Sequence, residues 1–461
     1  MKFLNKFNFN TVSFSLLLLY IFCFHLHILL NDYFLFYREF FFLTFCCLSF
    51  FYIINYKIKF INIFLKKEVL IFSISYLVFF LIIFINKGDI DPEFSVKENF
   101  IHEITNTNIL ALYVIRNFAL FIPVVFFFYL RGISKYELNK IISFFFYAGI
   151  INYSIYIFYY IKINEINILT FILHNNYLSS YNTYTQLISA LFIIGVYLSL
   201  TARKYFHCFI STFTTSLYFY IVFLSSGKAV MLFSLLSLIY LLITLHKDKK
   251  RLSFFIIIYF FSLSIFHFGT TALVYNDKIK NLNDIENLRN KFGINTNIGV
   301  DLGEGLNIYP AIRLYKLRLK LTSRKDVYIK FFTDNKSRFD HDNNKMIFFF
   351  GSGSLTSLIS GYHNDYMRLF HRTGLIGMVF SFIPIFYFFS RFLFYSYQNL
   401  FFNEKSNITH LLTVLLGFIP FYSLFSYPRE DIFSSGVFFL SLILFFSLIK
   451  KNSEYKEYNN S

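Results

Sequence analysis

Two histidines, two arginines and an aspartate lie within the stretch from Gly361 to Phe380, GYHNDYMRLFHRTGLIGMVF. A histidine side chain titrates near neutral pH, so His363 could exchange a proton with a substrate hydroxyl. The guanidinium of Arg372 is the kind of group that binds anionic oxygens through charge-assisted hydrogen bonds. A lone histidine in a loop usually has no such role. His363 is therefore a candidate only if the surrounding elements hold it beside a substrate.

The polar triplet of His363, Asn364 and Asp365 is followed by a second histidine and by two glycines. His371 lies eight residues after His363 and is the weaker candidate of the two. Gly374 and Gly377 stand where the polar stretch becomes apolar, and small residues at that spacing favour close helix packing. Gly351 and Gly353 form an earlier glycine pair in the sequence GSGS.

Four more cations could meet an anionic ligand. Arg116 lies in the apolar run ILALYVIRNFALFIPVVFFFYL, where an arginine costs roughly 2.5–3.5 kcal/mol and marks a functional site by default. Snorkelling of its side chain to the headgroups is the alternative. Lys228 stands at the start of another apolar run, a position typical of an interface anchor.

Arg313 and Arg324 belong to the segment AIRLYKLRLKLTSRKDVYIKFF. With Lys316 and Lys320 they recur at helical spacing, next to a stripe of leucines. This pattern suits a helix lying among lipid headgroups with its apolar side down. A solvated basic helix face and, for the alternating residues 312–321, a strand remain open alternatives.

The composition indicates a membrane protein. Of the 461 residues 56% are hydrophobic and only 15% are charged, whereas a soluble domain carries about a quarter charged residues. Four cysteines, Cys23, Cys46, Cys47 and Cys208, fall in or beside apolar runs without metal-ligand spacing, which argues against disulfides and zinc. The N-terminal apolar run has no small-residue cleavage site, so it is predicted to be a first span and not a cleaved signal.

Apolar runs of about 20 residues predict transmembrane helices. We expect an all-α polytopic membrane protein of about twelve spans, because runs of this kind recur along the whole chain. They lie near 11–30, 36–55, 68–86, 109–130, 141–162, 183–201, 205–225, 228–245, 252–272, 374–393, 409–427 and 431–449.

The distribution of lysine and arginine predicts the orientation of these spans. Cytoplasmic loops of membrane proteins carry an excess of both residues. Basic clusters such as 57–67, 131–140 and 247–251 all fall on one side if the N-terminus lies inside, and the acidic loop 89–103 then falls outside. Both termini are therefore predicted to be cytoplasmic.

The predicted organisation has four parts. Residues 1–272 hold spans one to nine, 273–373 form one large extracytoplasmic loop, 374–449 hold spans ten to twelve, and 450–461 form a cytoplasmic tail. The large loop carries 16 Lys and Arg against 10 Asp and Glu. An excess of positive charge beside lipid suggests an anionic ligand, although a lysine-rich composition alone could produce the same excess.

The order of these features resembles the O-antigen polymerase and O-antigen ligase family of bacterial envelope glycan assembly. That family has a histidine and an asparagine, an intervening stretch, and then GxxG at the start of a span. Here His363 and Asn364 are followed by nine residues and by GLIG, Gly374 to Gly377. An earlier glycine pair matches Gly351 and Gly353.

Two further family elements have matches in this chain. An arginine followed by an aromatic residue matches Arg324 with Tyr328. The family also has a serine and a basic residue where a span begins. Ser226 and Lys228 match this element approximately, because the family more usually has an arginine directly next to the serine. Motif-level resemblance covers roughly 205–393, and resemblance in topology covers the whole chain.

The resemblance implies a GT-C-like glycosyltransferase that polymerises oligosaccharide repeat units carried on undecaprenyl diphosphate, of O-antigen or capsule type. In that reading His363 orients or deprotonates the acceptor hydroxyl, with Asn364, Asp365 and the four glycines as supporting motif positions. The departing diphosphate would be held by cationic side chains, and the candidates are Arg116, Lys228, Arg313, Arg324 and Arg372. No cofactor and no metal are expected.

The expected partners are the lipid-linked glycan, membrane lipids, and a chain-length regulator and flippase of the same pathway, with no nucleic acid. The expected location is the bacterial cytoplasmic (inner) membrane, in a multi-pass topology. Two alternatives remain: a ligase that transfers finished glycan to the lipid A core, which shares the motif, and a flippase for lipid-linked oligosaccharide. A membrane scaffold protein without catalytic activity is a third hypothesis.

The orientation can be tested by cysteine labelling in intact cells. A cysteine near Asn343 should react with a membrane-impermeant reagent, whereas cysteines near Lys250 and Ser461 should react only after the cells are opened, because the positive-inside pattern places them in the cytoplasm. Labelling near Lys250 in intact cells would overturn the orientation and, with it, the placement of the site.

Overall fold

The computed structural model describes residues 9–26, 37–58, 60–85, 122–123, 125–164, 181–224, 228–245, 249–276, 345–351, 365–402 and 407–423. Within these ranges the regular structure is helical and contains no strand, which confirms the all-α prediction. The helices are α1 (Phe9–Leu26), α2 (Tyr37–Asn55), α3 (Phe60–Phe64), α4 (Lys67–Ile85), a π-helical turn (Phe126–Arg131), α5 (Lys135–Asn164), α6 (Tyr181–Thr201), α7 (Tyr205–Leu224), α8 (Lys228–Leu245), α9 (Lys249–Asn276), α10 (Lys345–Phe350), α11 (Asp365–Phe402) and α12 (Asn407–Ser423).

Helix α6 lies at the centre of the described bundle. Every residue from Leu187 to Tyr197 is buried, on all sides of the helix. It packs against α5, α7, α8, α9 and α12. A helix that is apolar around its whole circumference belongs in the interior of a larger assembly, and α6 takes that place.

The helices around α6 turn apolar side chains outward and hydroxyl groups inward. On α7, Phe206, Phe209 and Phe213 are exposed, whereas Thr212 and Thr215 are fully buried. Each of these threonines donates a hydrogen bond to the backbone carbonyl four residues earlier, so no buried hydroxyl of this pair is left unsatisfied. In water such an outer surface would form a large apolar patch, whereas in lipid it is the ordinary arrangement.

Two described helical stretches, Lys249–Phe268 in α9 and Thr373–Arg391 in α11, are long and apolar enough to cross a membrane. They overlap the predicted spans nine and ten. Shorter apolar helical stretches of 10–17 residues lie at Phe9–Cys23, Leu43–Asn55, Leu187–Thr201 and Val230–Leu245. The twelve-span topology as a whole stays a prediction.

Polar contacts between distant helices join ends that the sequence analysis placed on the same, inner side. Arg391 of α11 forms an ion pair with Glu68 of α4, with an Nη1–Oε1 distance of 3.4 Å. Arg391 also donates to the Tyr387 hydroxyl at 2.9 Å. The Tyr240 hydroxyl of α8 lies 3.2 Å from Nδ1 of His410 in α12. These contacts are consistent with neighbouring helices that alternate in direction.

A third cluster ties α1, the π-helical turn and α5 together. Arg131 Nη2 donates to Glu137 Oε1 at 2.6 Å and to the Asn10 carbonyl at 2.8 Å. Ser134 and Glu137 form a capping box at the start of α5: the Ser134 N–H donates to the Glu137 carboxylate, and the Glu137 N–H donates to the Ser134 hydroxyl. The Arg131 side chain is 6% exposed and that of Glu137 is 20% exposed.

Burial raises the pKa of the Glu137 carboxyl, but hydrogen bonds from Arg131 and Ser134 and the charge of Arg131 outweigh it, so the pKa lies below its ordinary value. A lowered pKa means that this ion pair contributes stability above the unfolded-state pKa of about 4.3. The contribution is lost as the pH falls through the folded-state pKa.

Replacing Glu137 with glutamine should therefore lower the free energy of unfolding by on the order of 3 kcal/mol at neutral pH, because Arg131 would keep a nearly buried charge without its carboxylate. The difference between the variant and the unmodified protein should shrink at acidic pH. Thermal melting in detergent between pH 3.5 and 7 measures both effects.

The matched control is Lys140→Gln, an exposed position on the same helix whose ammonium lies over the Tyr136 ring, which should change stability by no more than about 1 kcal/mol. Equal melting of Glu137→Gln and Lys140→Gln at neutral pH would contradict a stabilising role for the pair.

Candidate functional site

The predicted site residues divide into two groups in the structure. Six lie outside the described residues: Arg116, Arg313, Arg324, Gly353, His363 and Asn364. The other six lie in described segments: Lys228 begins α8, Gly351 directly follows α10, and Asp365, Arg372, Gly374 and Gly377 belong to α11. Around residues 352–364, the structure therefore describes α10 with Gly351 on one side and α11 on the other.

Helix α11 is interrupted at Gly374. This residue has φ 65° and ψ −169°, which are not helical values. The helix therefore consists of two pieces, a first arm of residues 365–373 and a second arm that begins at residue 375. We use these two names below.

The first arm folds back along the second arm. The rings of Tyr366 and Phe382 stack with centroids 4.3 Å apart and an interplanar angle of 21°. In a straight helix, residues 16 positions apart would be separated by about 24 Å at 1.5 Å per residue. Both residues are eight positions from Gly374, so the two arms form a helical hairpin whose turn is Gly374.

This hairpin changes the expected position of the polar stretch. The sequence analysis placed the His363 triplet just outside the predicted span ten, with the chain entering the membrane at Gly374. In the structure Tyr366, at the start of the first arm, lies beside Phe382, eight residues into that span. Hydropathy alone did not reveal that the chain reverses direction at the glycine.

Each glycine of the GxxG motif has a distinct role in the hairpin. Gly374 adopts the left-handed φ that non-glycine residues rarely take, and a Cβ atom there would overlap the backbone of Phe349 and Phe350. At Gly377 a Cβ atom would overlap the side chain of Thr373. The predicted close packing is present, and it joins the two arms to each other and to α10.

The earlier glycine motif meets the same hairpin. Helix α10 ends at Phe350, and the buried Gly351 that follows it has φ 80°. The Phe348 ring packs edge-on against the Phe370 ring of the first arm, with centroids 5.5 Å apart. Two motif segments 23 residues apart in the chain, at Gly351 and Gly374, thus lie against each other.

The second arginine of the opening stretch also belongs to the first arm. Arg368 lies four residues before Arg372, so both fall on one face of the arm.

The structure does not bring the remaining described candidates together. Lys228 begins α8, which packs against α6 and α12. Within the described ranges no group of three or more His, Cys, Asp and Glu side chains could hold a metal ion. Because His363 lies outside those ranges, metal-independent chemistry stays a prediction.

Comparisons with protein-family models, with curated proteins and with solved structures found no match to this chain. The family resemblance therefore rests on the residues quoted above.

The hairpin can be tested by cross-linking. In a variant lacking the four native cysteines, Tyr366→Cys and Phe382→Cys should be joined by a thiol cross-linker about 8 Å long. Trypsin cuts at Arg368 and Arg372, between the two positions, so mass spectrometry will find the flanking peptides joined only if the cross-link formed. The pair Tyr366→Cys with Leu393→Cys is the control, because position 393 lies about 16 Å farther along the second arm. Equal cross-linking of both pairs, or of neither, would contradict the hairpin.

Proposed function

We propose that this protein is a membrane-embedded glycosyltransferase that polymerises oligosaccharide repeat units carried on undecaprenyl diphosphate, at the outer face of the bacterial cytoplasmic membrane. The observation that carries the proposal is the motif His363-Asn364, nine residues, then Gly374-x-x-Gly377. Its glycine end forms a sharp hairpin packed against the segment of the earlier glycine motif. The hairpin joins the glycine end of the motif to a helical stretch long and apolar enough to cross a membrane, which supports a site at the membrane.

The reaction needs no nucleotide, because the donor sugar is already activated by its bond to diphosphate. The acceptor hydroxyl oxygen forms a new bond to the anomeric carbon of the donor sugar as the bond from that carbon to the diphosphate oxygen breaks. The hydroxyl proton passes to His363, and the electron pair of the broken bond leaves with the prenyl diphosphate. A general base of this type contributes about 10²- to 10⁴-fold to the rate.

Negative charge develops on the departing diphosphate, so positive side chains close to it lower the barrier. Arg324, Arg313, Arg116, Lys228 and Arg372 are the proposed residues for this role. Arginine suits it best, since its planar fork meets two phosphate oxygens at once. In the proposed topology these residues lie on the outer side, where lipid-linked repeat units are presented.

The ligase alternative shares the motif and the chemistry and differs in the acceptor. Deleting the gene and separating surface glycan on a gel distinguishes the two activities. Loss of the ladder with a single capped repeat unit remaining supports the polymerase. Loss of all attached glycan with accumulation of lipid-linked polymer supports the ligase, and an unchanged ladder would refute both. If the protein is a flippase, the deletion should leave the lipid-linked repeat units on the cytoplasmic face of the membrane.

Substituting His363 tests the proposed chemistry. His363→Ala should reduce polymer formation about 10²- to 10⁴-fold, because no side chain remains to accept the proton. His363→Gln should be equally impaired, since glutamine can hydrogen-bond the hydroxyl but cannot take its proton. Donor binding should persist in both variants.

His371→Gln serves as the matched control and should retain most of the activity. Near-normal polymer in His363→Gln would show that the histidine only positions the acceptor. Normal polymer in both His363 variants would remove it from the mechanism. In every case the membrane level of the protein must be measured alongside the glycan.

A further inference from the structure

The starts of helices α7 and α9 carry a concentration of positive charge. The two connecting segments that lead into these helices, 202–204 and 246–251, together hold six Lys and Arg residues and one Asp. Five of the six basic residues lie in the part of the chain that the structure describes: Arg203, Lys204, Lys249, Lys250 and Arg251. We call these five residues the basic end. Four of them are exposed, and Arg251 is half-buried.

Ring contacts show that α7 and α9 run in the same direction, with their starts side by side. Tyr205, the first residue of α7, packs edge-on against Phe254 in the second turn of α9, with ring centroids 5.4 Å apart. Towards the other end of both helices, the Tyr220 and Phe266 rings lie 6.1 Å apart. The two basic segments therefore lie at the same end of the bundle, although they are far apart in the chain.

A polar contact joins the two segments directly. Nη2 of Arg251 donates a long hydrogen bond of 3.5 Å to the backbone carbonyl of Arg203, 48 residues earlier. The bond joins a cation on α9 to the main chain that carries the cations before α7. The five positive charges are therefore gathered by the fold, and their proximity is not only a matter of sequence.

The helices that surround the basic end contain no carboxylate of their own. Within the described residues of α6, α7, α8 and α9 there is no Asp and no Glu. The charged helix ends elsewhere in the bundle are arranged differently, since Arg131 meets Glu137 and Arg391 meets Glu68. The basic end thus keeps a net positive charge where those two arginines are matched by glutamates.

Helix stability does not explain these cations. The start of a helix carries a partial positive charge, so lysine and arginine are disfavoured there and acidic residues are favoured. Neither α7 nor α9 has an acidic residue in its first turn. An anion bound at the basic end would interact favourably with the five side chains and with both helix dipoles at once.

Exposed apolar side chains continue from the basic end along both helices. Phe209 and Phe213 on α7 and Ile257 and Phe261 on α9 are all exposed. The Phe213 ring lies 5.1 Å from the Phe266 ring of α9, so the apolar surfaces of the two helices adjoin. A positively charged end followed by an apolar surface matches a molecule with an anionic head and hydrocarbon chains.

We propose that the basic end binds the phosphate of an anionic phospholipid in the cytoplasmic leaflet, with the acyl chains of the lipid lying along α7 and α9. The predicted orientation places this end on the inner side of the membrane. Basic pockets between membrane helices on that side bind phosphate headgroups, and the arginine fork meets two phosphate oxygens at once. The inference is independent of the proposed function, whose residues lie on the other side of the membrane in the same topology.

The positive-inside bias of membrane proteins is the competing explanation. It accounts for lysine and arginine on the inner side without any bound lipid. In that case every exposed inner cation attracts anionic lipid to a similar extent, and only the total charge matters. A lipid site instead depends on the cations that the fold has gathered. The two explanations therefore differ in where a lost charge weakens binding.

The test is native mass spectrometry of the purified protein in detergent, titrated with phosphatidylglycerol or with phosphatidylcholine of the same acyl chains. The unmodified protein should bind its first phosphatidylglycerol more tightly than its first phosphatidylcholine. The double variant Arg203→Gln/Lys249→Gln, which removes one exposed cation from each segment, should raise the dissociation constant for phosphatidylglycerol about 10- to 30-fold. Its phosphatidylcholine binding should not change.

The matched control is Lys66→Gln/Lys140→Gln. It removes the same charge from two exposed positions on the predicted inner side, and it should bind phosphatidylglycerol like the unmodified protein because the basic end is intact. Equal weakening in both double variants would show that only total charge matters and would overturn the site. Unchanged binding in Arg203→Gln/Lys249→Gln, or no preference of the unmodified protein for phosphatidylglycerol, would overturn it as well.

Two further measurements separate a lipid from a free anion and check the fold. Glycerol 3-phosphate, which lacks the acyl chains, should compete only weakly, and competition as effective as that of phosphatidylglycerol would overturn the assignment to a lipid. Without added lipid, the three proteins should melt alike in detergent, since all four substituted side chains are exposed. Phosphatidylglycerol should then raise the melting temperature of the unmodified and control proteins more than that of Arg203→Gln/Lys249→Gln. Equal stabilisation of all three would contradict the proposal.

Discussion

The candidate site depends on one close approach between backbones. Gly374 turns the chain through a left-handed conformation while its Cα lies against the backbone of Phe349 and Phe350. A side chain at this position would have to displace main-chain atoms, which cannot move aside as a flexible side chain can. The approach holds the two arms of α11 and the end of α10 together in one framework.

The bundle that carries this framework is stabilised differently from a soluble protein. Several of its buried hydroxyl groups, such as those of Thr212 and Thr215, donate to carbonyls of their own helix and therefore cost little to bury. Between helices, packing around α6 supplies most of the contact, and a few polar bonds, such as Ser189 with Ser234 at 2.7 Å, specify the register. Phenylalanine and aliphatic side chains cover the outside. The ion pair of Arg391 with Glu68 adds a contact between α4 and α11, which are far apart in the chain.

The helical class and many helix positions could be predicted, since long apolar runs leave few alternatives to helix. Residues 205–225 and 228–245 were predicted as spans, and α7 and α8 occupy 205–224 and 228–245. The hairpin could not be predicted, because hydropathy averages over a window and carries no information about φ at one glycine. The pairing of Glu68 with Arg391 joins residues 323 positions apart, and no local pattern reports it. The chemistry proposed for His363 comes from the motif resemblance. The structure describes the helices on either side of residues 352–364, and His363 lies outside the described residues.

The pairing of Glu68 with Arg391 also constrains how the protein can be made. At a synthesis rate of about 5–20 residues per second, the ribosome adds Arg391 on the order of 15–60 s after Glu68. Throughout that interval α4 has been synthesised while its ionic partner has not yet been translated. Until then the Glu68 carboxylate must be accommodated by water or by other polar groups. The pairing of α4 with α11 therefore cannot form until α11 has been synthesised, when most of the chain has already left the ribosome.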